Sequence, residues 1–302
     1  MANTLELIEK VDEKSDRFLQ SPKVDGPYIS KLCEYEDETN SPEVTKSILS
    51  NVYKAPHYFI SPQYKSDEPT LSKILCLGKV QSGKTVFFLA CIAVAFDNGY
   101  DLAYIIGGTK LKLKNQNFER VRDEFANNPK VKVLDLSVTK DEEIADNLSK
   151  GYKVIAVLLK NPSENVNLGA LKRLVELNPS VPSIVVDDEG DEYSPGAPKS
   201  KATNSRAGRT HDAISDIVYS LKICTYLSVT ATPQANFLIS TIDALSPDFA
   251  VLVEPGNGYI GGISFHDLMS NPHCVQIDDS DDFSSSVPDS FENALYFFIL
   301  AA

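Results

Sequence analysis

The sequence predicts an α/β fold in which a mostly parallel sheet carries helices on both faces. From Lys73 onward, apolar strand-like runs alternate with helical patterns. A G-x-x-x-x-G-K-T string separates the first such strand from the first such helix, and two later strands end in an acidic and a hydroxyl-rich tip. Strands are expected at about 73–78, 102–107, 131–137, 153–159, 183–187 and 225–230, with helices near 84–97, 111–126, 141–149, 167–177 and 211–222. In such sheets ligands lie beyond the carboxyl ends of the strands, so the residues following each strand are the candidates for function.

Residues 1–72 read as a mainly helical N-terminal extension. Leu5, Ile8, Val11 and Phe18 share a helical face, and a connector with Pro56, Pro62 and Pro69 follows. Its expected role is to cover an edge of the main sheet; Tyr58 and Phe59 offer the alternative of stacking on a base.

The first strand of the main region, Ile74–Leu77, leads into Gly78, Lys79, Val80, Gln81, Ser82, Gly83, Lys84 and Thr85, and an apolar helix leaves it. That context makes the string a phosphate-binding loop. Gly78 and Gly83 permit tight wrapping, the N–H groups around Gln81 and Ser82 point inward, and the helix N-terminus adds positive potential. Lys84 would reach the β and γ phosphates of ATP, and Thr85 would place its hydroxyl on a magnesium ion.

After the second strand come Gly107, Gly108 and Thr109, then Lys110, Lys112, Lys114, Asn115 and Gln116, either a solvated helix start or a nucleic-acid contact. The fourth strand ends in Lys160, Asn161, Pro162 and Ser163, a turn that either merely turns or holds a nucleic-acid backbone. The fifth ends in Asp187, Asp188, Glu189, Gly190 and Asp191. A phosphate-loop ATPase needs one carboxylate for the metal shell and another to act on water, and Asp188 and Glu189 stand where those are required. The sixth ends in Thr230, Ala231, Thr232 and Pro233, whose hydroxyls can bond the fifth-strand carboxylates and sense the γ-phosphate.

Read together, GKVQSGKT, DEGD and TATP resemble motifs I, II and III of the superfamily-two helicase-like ATPases. The longer strings GKVQSGKT, VVDDEGDEYS, TATPQANFLIS and EPGNGYIGG look like the ATPase portion of the Z-one family, named as endonucleases and found in bacterial restriction and phage-defence neighbourhoods; the similarity covers about residues 73–302. The resemblance implies a RecA-like lobe over 73–240. It further implies ATP and magnesium at Gly83, Lys84 and Thr85, Asp188 on the metal shell, Glu189 as catalytic base, and Thr230 and Thr232 as the coupling between nucleotide state and movement. Gly190 stands where that family's second motif commonly has alanine, a difference expected to free the backbone without removing a catalytic group. The helix from Lys110 would correspond to its nucleic-acid-facing region, making DNA or RNA a partner and other restriction or defence subunits candidates.

A loop with Lys199, Lys201, Arg206 and Arg209 offers either a local phosphate grip or a solvated segment. The net charge of −13 excludes a generally nucleic-acid-coating surface. Five scattered cysteines without C-x-x-C spacing, no basic signal-peptide start and no apolar run long enough for a bilayer fit a soluble cytoplasmic protein without a membrane partner. Apart from the adjacent His273 and Cys274, the four histidines have no metal-ligand spacing and no metal site is assigned, and no carboxylate and lysine cluster outside the ATP site forms a nuclease centre. A nucleoside kinase on the same loop is disfavoured by DEGD, TATP and the lack of an Arg-rich lid; a nucleotide-gated interaction module without motor activity is the alternative.

Residues 241–302 read as an irregular linker and the first helix of a following domain. The chain stops inside the apolar run ENALYFFILAA, which is expected of a sequence cut short before a second lobe. An arginine finger from such a lobe is worth on the order of 10³ to 10⁵ in rate, so the chain alone is expected to bind ATP and hydrolyse it slowly.

Overall fold

The computed structural model describes residues 16–40, 42–163, 167–192, 206–237, 243–256, 259, 261, 291–293 and 295–296. The chain divides into two compact units, Met1–Asn257 and Gly258–Ala302. The first is built on a seven-stranded parallel sheet, β1 (Thr70–Gly78), β2 (Leu102–Gly107), β3 (Val131–Asp135), β4 (Lys153–Leu159), β5 (Ser183–Asp188), β6 (Ile223–Thr230) and β7 (Phe249–Val253), in the order β3-β4-β2-β5-β6-β1-β7. This is the doubly covered parallel arrangement that the alternating pattern predicts, and it has the RecA-like form that the resemblance implies.

Period-two alternation sorts each strand's side chains between the faces. On one face Ile74, Cys76, Ala103, Ile105, Ile184, Val186, Leu227 and Val229 pack under α3 (Lys84–Asp97) and α4 (Leu111–Glu124). On the other, Leu102, Tyr104, Val185, Cys224 and Tyr226 pack under α5 (Asp141–Ser149), α6 (Leu168–Leu177) and α7 (Arg206–Ser220). A short helix, α8 (Gln234–Phe237), follows β6.

Residues 16–72 belong to the first unit. Val86–Phe96 of α3 are all buried because α1 (Pro27–Thr39) and α2 (Pro42–Val52) cover the side turned away from the sheet, which explains a helix apolar all round. Asp97, at the end of α3, accepts hydrogen bonds from the amides of Tyr28 and Ile29 at 3.1 and 3.0 Å, capping α1 in place of a local side chain. Phe59 is buried, while Tyr58 stacks on Phe249 with centroids 4.2 Å apart. These aromatics therefore serve packing in this fold. Leu5, Ile8 and Val11 lie outside the described residues.

Two element starts differ from expectation by three residues or more. β1 starts at Thr70, where the Thr70 amide bonds Lys222 O at 2.8 Å, and α7 starts at Arg206 rather than near 211. β7 was not legible: FAVLV is short and lies between Pro247 and Pro255, so it reads as loop until β1 supplies a parallel partner. Its outer edge is blunted by α2, since Asn51 exchanges hydrogen bonds with the Glu254 backbone at 2.8 and 2.9 Å and Lys54 Nζ donates to Leu252 O at 3.2 Å.

Candidate active site

The strand order creates the cleft. β6 stands between β1 and β5, so the loop leaving β1 and the acids leaving β5 face each other across the β6 tip. The resulting space is about 760 Å³, lined by Val80–Thr85, the acids Asp188, Glu189, Asp191 and Glu192, Val229–Thr232, and Asn117 and Arg120 of α4.

The phosphate loop is wrapped as its glycines require. Gly83 caps α3 with φ +87° and Gln81 is also left-handed at φ +54°, which turns the chain back on itself before the helix begins. Lys84 Nζ donates to Lys79 O of the same loop at 2.8 Å. Burial lowers its pKa from the ordinary lysine value, while Asp188, Asp191 and Glu189 across the cleft act in the opposite direction. Ser82 Oγ is buried and has no hydrogen-bond partner among the described residues. A lysine held by its own loop, an unsatisfied buried hydroxyl and a helix N-terminus suit a polyphosphate. Thr85 lies on the first turn of that helix and Asp188 opposite it, the oxygen donors a magnesium ion would take.

On the facing side, Asp188 sits at the end of β5 and accepts a hydrogen bond from Asn117 Nδ2 at 3.1 Å. Burial pushes its pKa up; that bond and the Lys160 charge oppose the shift, and Asp187 adds to it. Glu189 is also raised, first by burial and then by Glu192 and Asp188. Its backbone is left-handed, φ +55°, a conformation costing a non-glycine residue roughly 1–2 kcal/mol. A raised carboxylate in a partly desolvated cleft suits a group that accepts a proton.

The β6 tip holds the acid loop. Thr230 Oγ1 donates to Asp191 Oδ1 at 2.6 Å, Thr232 Oγ1 donates to Asp191 Oδ2, and the Gly190 amide bonds Val229 O at 3.0 Å. Gly190 has no room for a side chain, because a Cβ would lie 2.1 Å from Ser228 Oγ, itself hydrogen-bonded to Asn236 Nδ2 at 3.2 Å. The glycine is thus demanded by Ser228 rather than by backbone freedom.

The residues expected on nucleic acid separate. Lys110 and Lys112 are exposed after β2 and Asn161 is half-buried after β4, and these two strands are neighbours, so all three lie on one rim. Asn161, Pro162 and Ser163 border a recess with the exposed Arg209 of α7. Lys199 and Lys201 lie outside the described residues. Lys114 is buried and paired with Asp135 at 2.5 Å.

Lys160 corrects the expectation: it is 0% exposed and paired with the equally buried Asp187 at 2.6 Å, so its ammonium is out of reach of any phosphate backbone. Asp187 also accepts from Tyr226 Oη at 2.7 Å. Sequence reading passed over this pair, yet a signal existed. Asp187 occupies a core-facing position in an apolar strand, where a carboxylate requires a buried cation. It also passed over Asn117 and Arg120, whose i, i+3 spacing places both on one face of α4.

Fold and cleft together define the class, a RecA-like phosphate-loop lobe. No protein-family model and no curated protein matches the chain. Among solved structures, it is similar to a hypothetical ATP-dependent RNA helicase from Sulfolobus tokodaii (TM-score 0.44, 15% identity, 74% of this chain and 56% of that one). It is also similar to the DUF1998 helicase MrfA bound to DNA (TM-score 0.44, 12% identity, 78% and 30%). A third is Mss116p bound to ssRNA and AMP-PNP (TM-score 0.42, 16% identity, 72% and 44%). The chain thus spans between 30% and 56% of the length of these proteins. Each is a likeness of fold at low identity, and what the cleft can do is read from its own side chains.

Proposed function

We propose that this lobe binds magnesium ATP and hydrolyses it as part of a superfamily-two helicase-like, nucleic-acid-directed ATPase. One observation carries the reading: Lys84 at a helix N-terminus and the carboxylates of Asp188 and Glu189 line a single cleft closed by the Thr230 and Thr232 hydroxyls. In this reading Gly78, Gln81, Ser82, Gly83 and Lys84 cradle the phosphates, and Thr85 and Asp188 hold the magnesium ion. Glu189 accepts the proton of attacking water. Thr230 and Thr232, through Asp191, link the phosphate site to the adjoining strand. Bound magnesium would supply charge neutralisation between the phosphates.

Nucleic acid, DNA or RNA, would lie along the rim of Lys110, Lys112 and Asn161. Membership of the Z-one family and a role in restriction or phage defence in the cytoplasm rest on the four strings quoted above, and an arginine finger would come from a second lobe. ATP turnover measured on the intact protein with and without single- and double-stranded DNA and RNA tests the proposal. Magnesium-dependent turnover stimulated by nucleic acid and lost in Lys84→Ala is expected. ATP binding with no stimulation by any nucleic acid would overturn the motor reading in favour of a nucleotide-gated interaction module.

A further inference from the structure

We infer that Lys160 is a positioning residue for hydrolysis: from beneath the acid loop it clamps the backbone that carries Asp188 and Glu189. The inference rests on reading the cleft as an ATPase site. Lys160 Nζ donates to Asp188 O at 3.1 Å, Glu189 O at 2.8 Å and Glu192 O at 3.2 Å, in addition to its 2.6 Å pair with Asp187. Three carbonyls can converge on one point when the loop curls inward, and the Glu189 φ of +55° is part of that curl. Without a cation the same arrangement would bring three carbonyl oxygens and a buried carboxylate together, each repelling the others.

The clamp is itself anchored. The Lys160 amide bonds Gly107 O at 3.0 Å, and Asp187 is held on its other oxygen by Tyr226 Oη at 2.7 Å. The network therefore runs from β2 and β4 through the acid loop to β6. Strand alternation divides the labour between adjacent acids. Asp187 turns to the α6 and α7 face, where Tyr226 packs, and meets Lys160; Asp188 turns to the α4 face, meets Asn117 and lines the cleft. A buried ion pair is weak grounds for stability. An ammonium bonded to three successive parts of one loop is a way to fix that loop's shape, and shape governs rate, since a displacement of about 1 Å can cost on the order of 10²-fold.

The test compares wild type with Lys160→Met/Asp187→Asn, which removes both charges together. The expected result is a fall in kcat on the order of 10²-fold. Affinity for a non-hydrolysable ATP analogue should stay within about twofold, and amides 189–192 should exchange hydrogen faster while the core exchanges as before. Unchanged kcat together with unchanged amide protection would overturn the inference, as would loss of analogue binding in step with kcat. Failure of the ATPase reading shows separately, as wild-type turnover equal to that of Lys84→Ala. Amide exchange then still decides the clamp: faster exchange in the variant supports it and unchanged exchange refutes it. Should the variant not fold, wild type decides. Slow exchange of the Gly190 and Glu192 amides, bonded to Val229 O at 3.0 Å and Glu189 O at 2.9 Å, is required, and exchange at open-loop rates would refute the clamp.

Discussion

The two loops that face each other across the cleft are built on opposite plans. In the phosphate loop, Lys84 rests on a carbonyl of its own loop, and Ser82 Oγ has no partner among the described residues. In the acid loop, Lys160 holds three carbonyls, the Thr230 and Thr232 hydroxyls hold Asp191, and Asn117 holds Asp188. On the proposed function an anion would complete the first; the second is held by its own hydrogen bonds. On that reading, the difference follows from what each would have to do. A loop that wraps phosphates gains from unsatisfied donors, whereas carboxylates that act on water must already point correctly when the ligand arrives.

Glu189→Gln is the sharpest way to break that comparison, because it removes a proton acceptor and leaves the backbone clamps in place. Hydrolysis should fall on the order of 10² to 10⁴-fold, with nucleotide binding and melting temperature retained; a steady-state assay beside an analogue titration checks it. Lys84→Ala comes next and should act on binding. Losing a charge-assisted bond worth about 1.5–3 kcal/mol weakens ATP affinity on the order of 10 to 100-fold. Melting temperature should barely move, since the lysine's partner in the structure is a loop carbonyl at 2.8 Å.

The acid loop should respond through stability instead. Gly190→Ala forces a Cβ to within 2.1 Å of Ser228 Oγ, an overpacking expected to cost about 1–3 kcal/mol. Adding Ser228→Ala should recover most of that loss in denaturant titrations, and a failure to recover would place the strain elsewhere.

The smallest effect concerns α4, which lends Asn117 and Arg120 to the cleft lining. Arg120 lines the cleft and its Nε donates to the buried Glu124 at 2.7 Å, yet burial pushes Glu124 up to about 7, outweighing that bond. The folded chain therefore binds a proton that the unfolded chain releases at its ordinary value of 4.5. Glu124's contribution to stability is full below that value and is lost as pH rises through about 7. Glu124→Gln should flatten this stretch of the stability profile and raise stability at pH 8 on the order of 1 kcal/mol, less than the shift alone implies because Arg120 is solvent-exposed.

Much of the lobe was legible because its signals are local. Strand alternation, the phosphate loop and the acidic tip each lie within a dozen residues, and the structure places those strands close to where the pattern does. What was not legible depends on distant partners: the strand β7, and which surface the expected helical extension covers. FAVLV becomes a strand because β1 offers an edge, and the helical extension earns its apolar face by covering α3. Lys160 stands at a strand end, where a lysine ordinarily faces water, and nothing within its own segment marks it as buried.

By itself, the sequence determined the phosphate loop, the run of acids and the hydroxyl-rich tip, since backbone geometry and strand period are short-range properties. The roles of neighbouring identical residues were decided by the tertiary structure. Asp187 and Asp188 are chemically alike, and the pleat sends one to a buried lysine and the other to the cleft. Strand order then brings Lys160 to Asp187 and Thr230 to Asp191. A buried charge takes its function from whichever partner the fold delivers, because in a low-dielectric interior that partner decides whether the charge can exist at all.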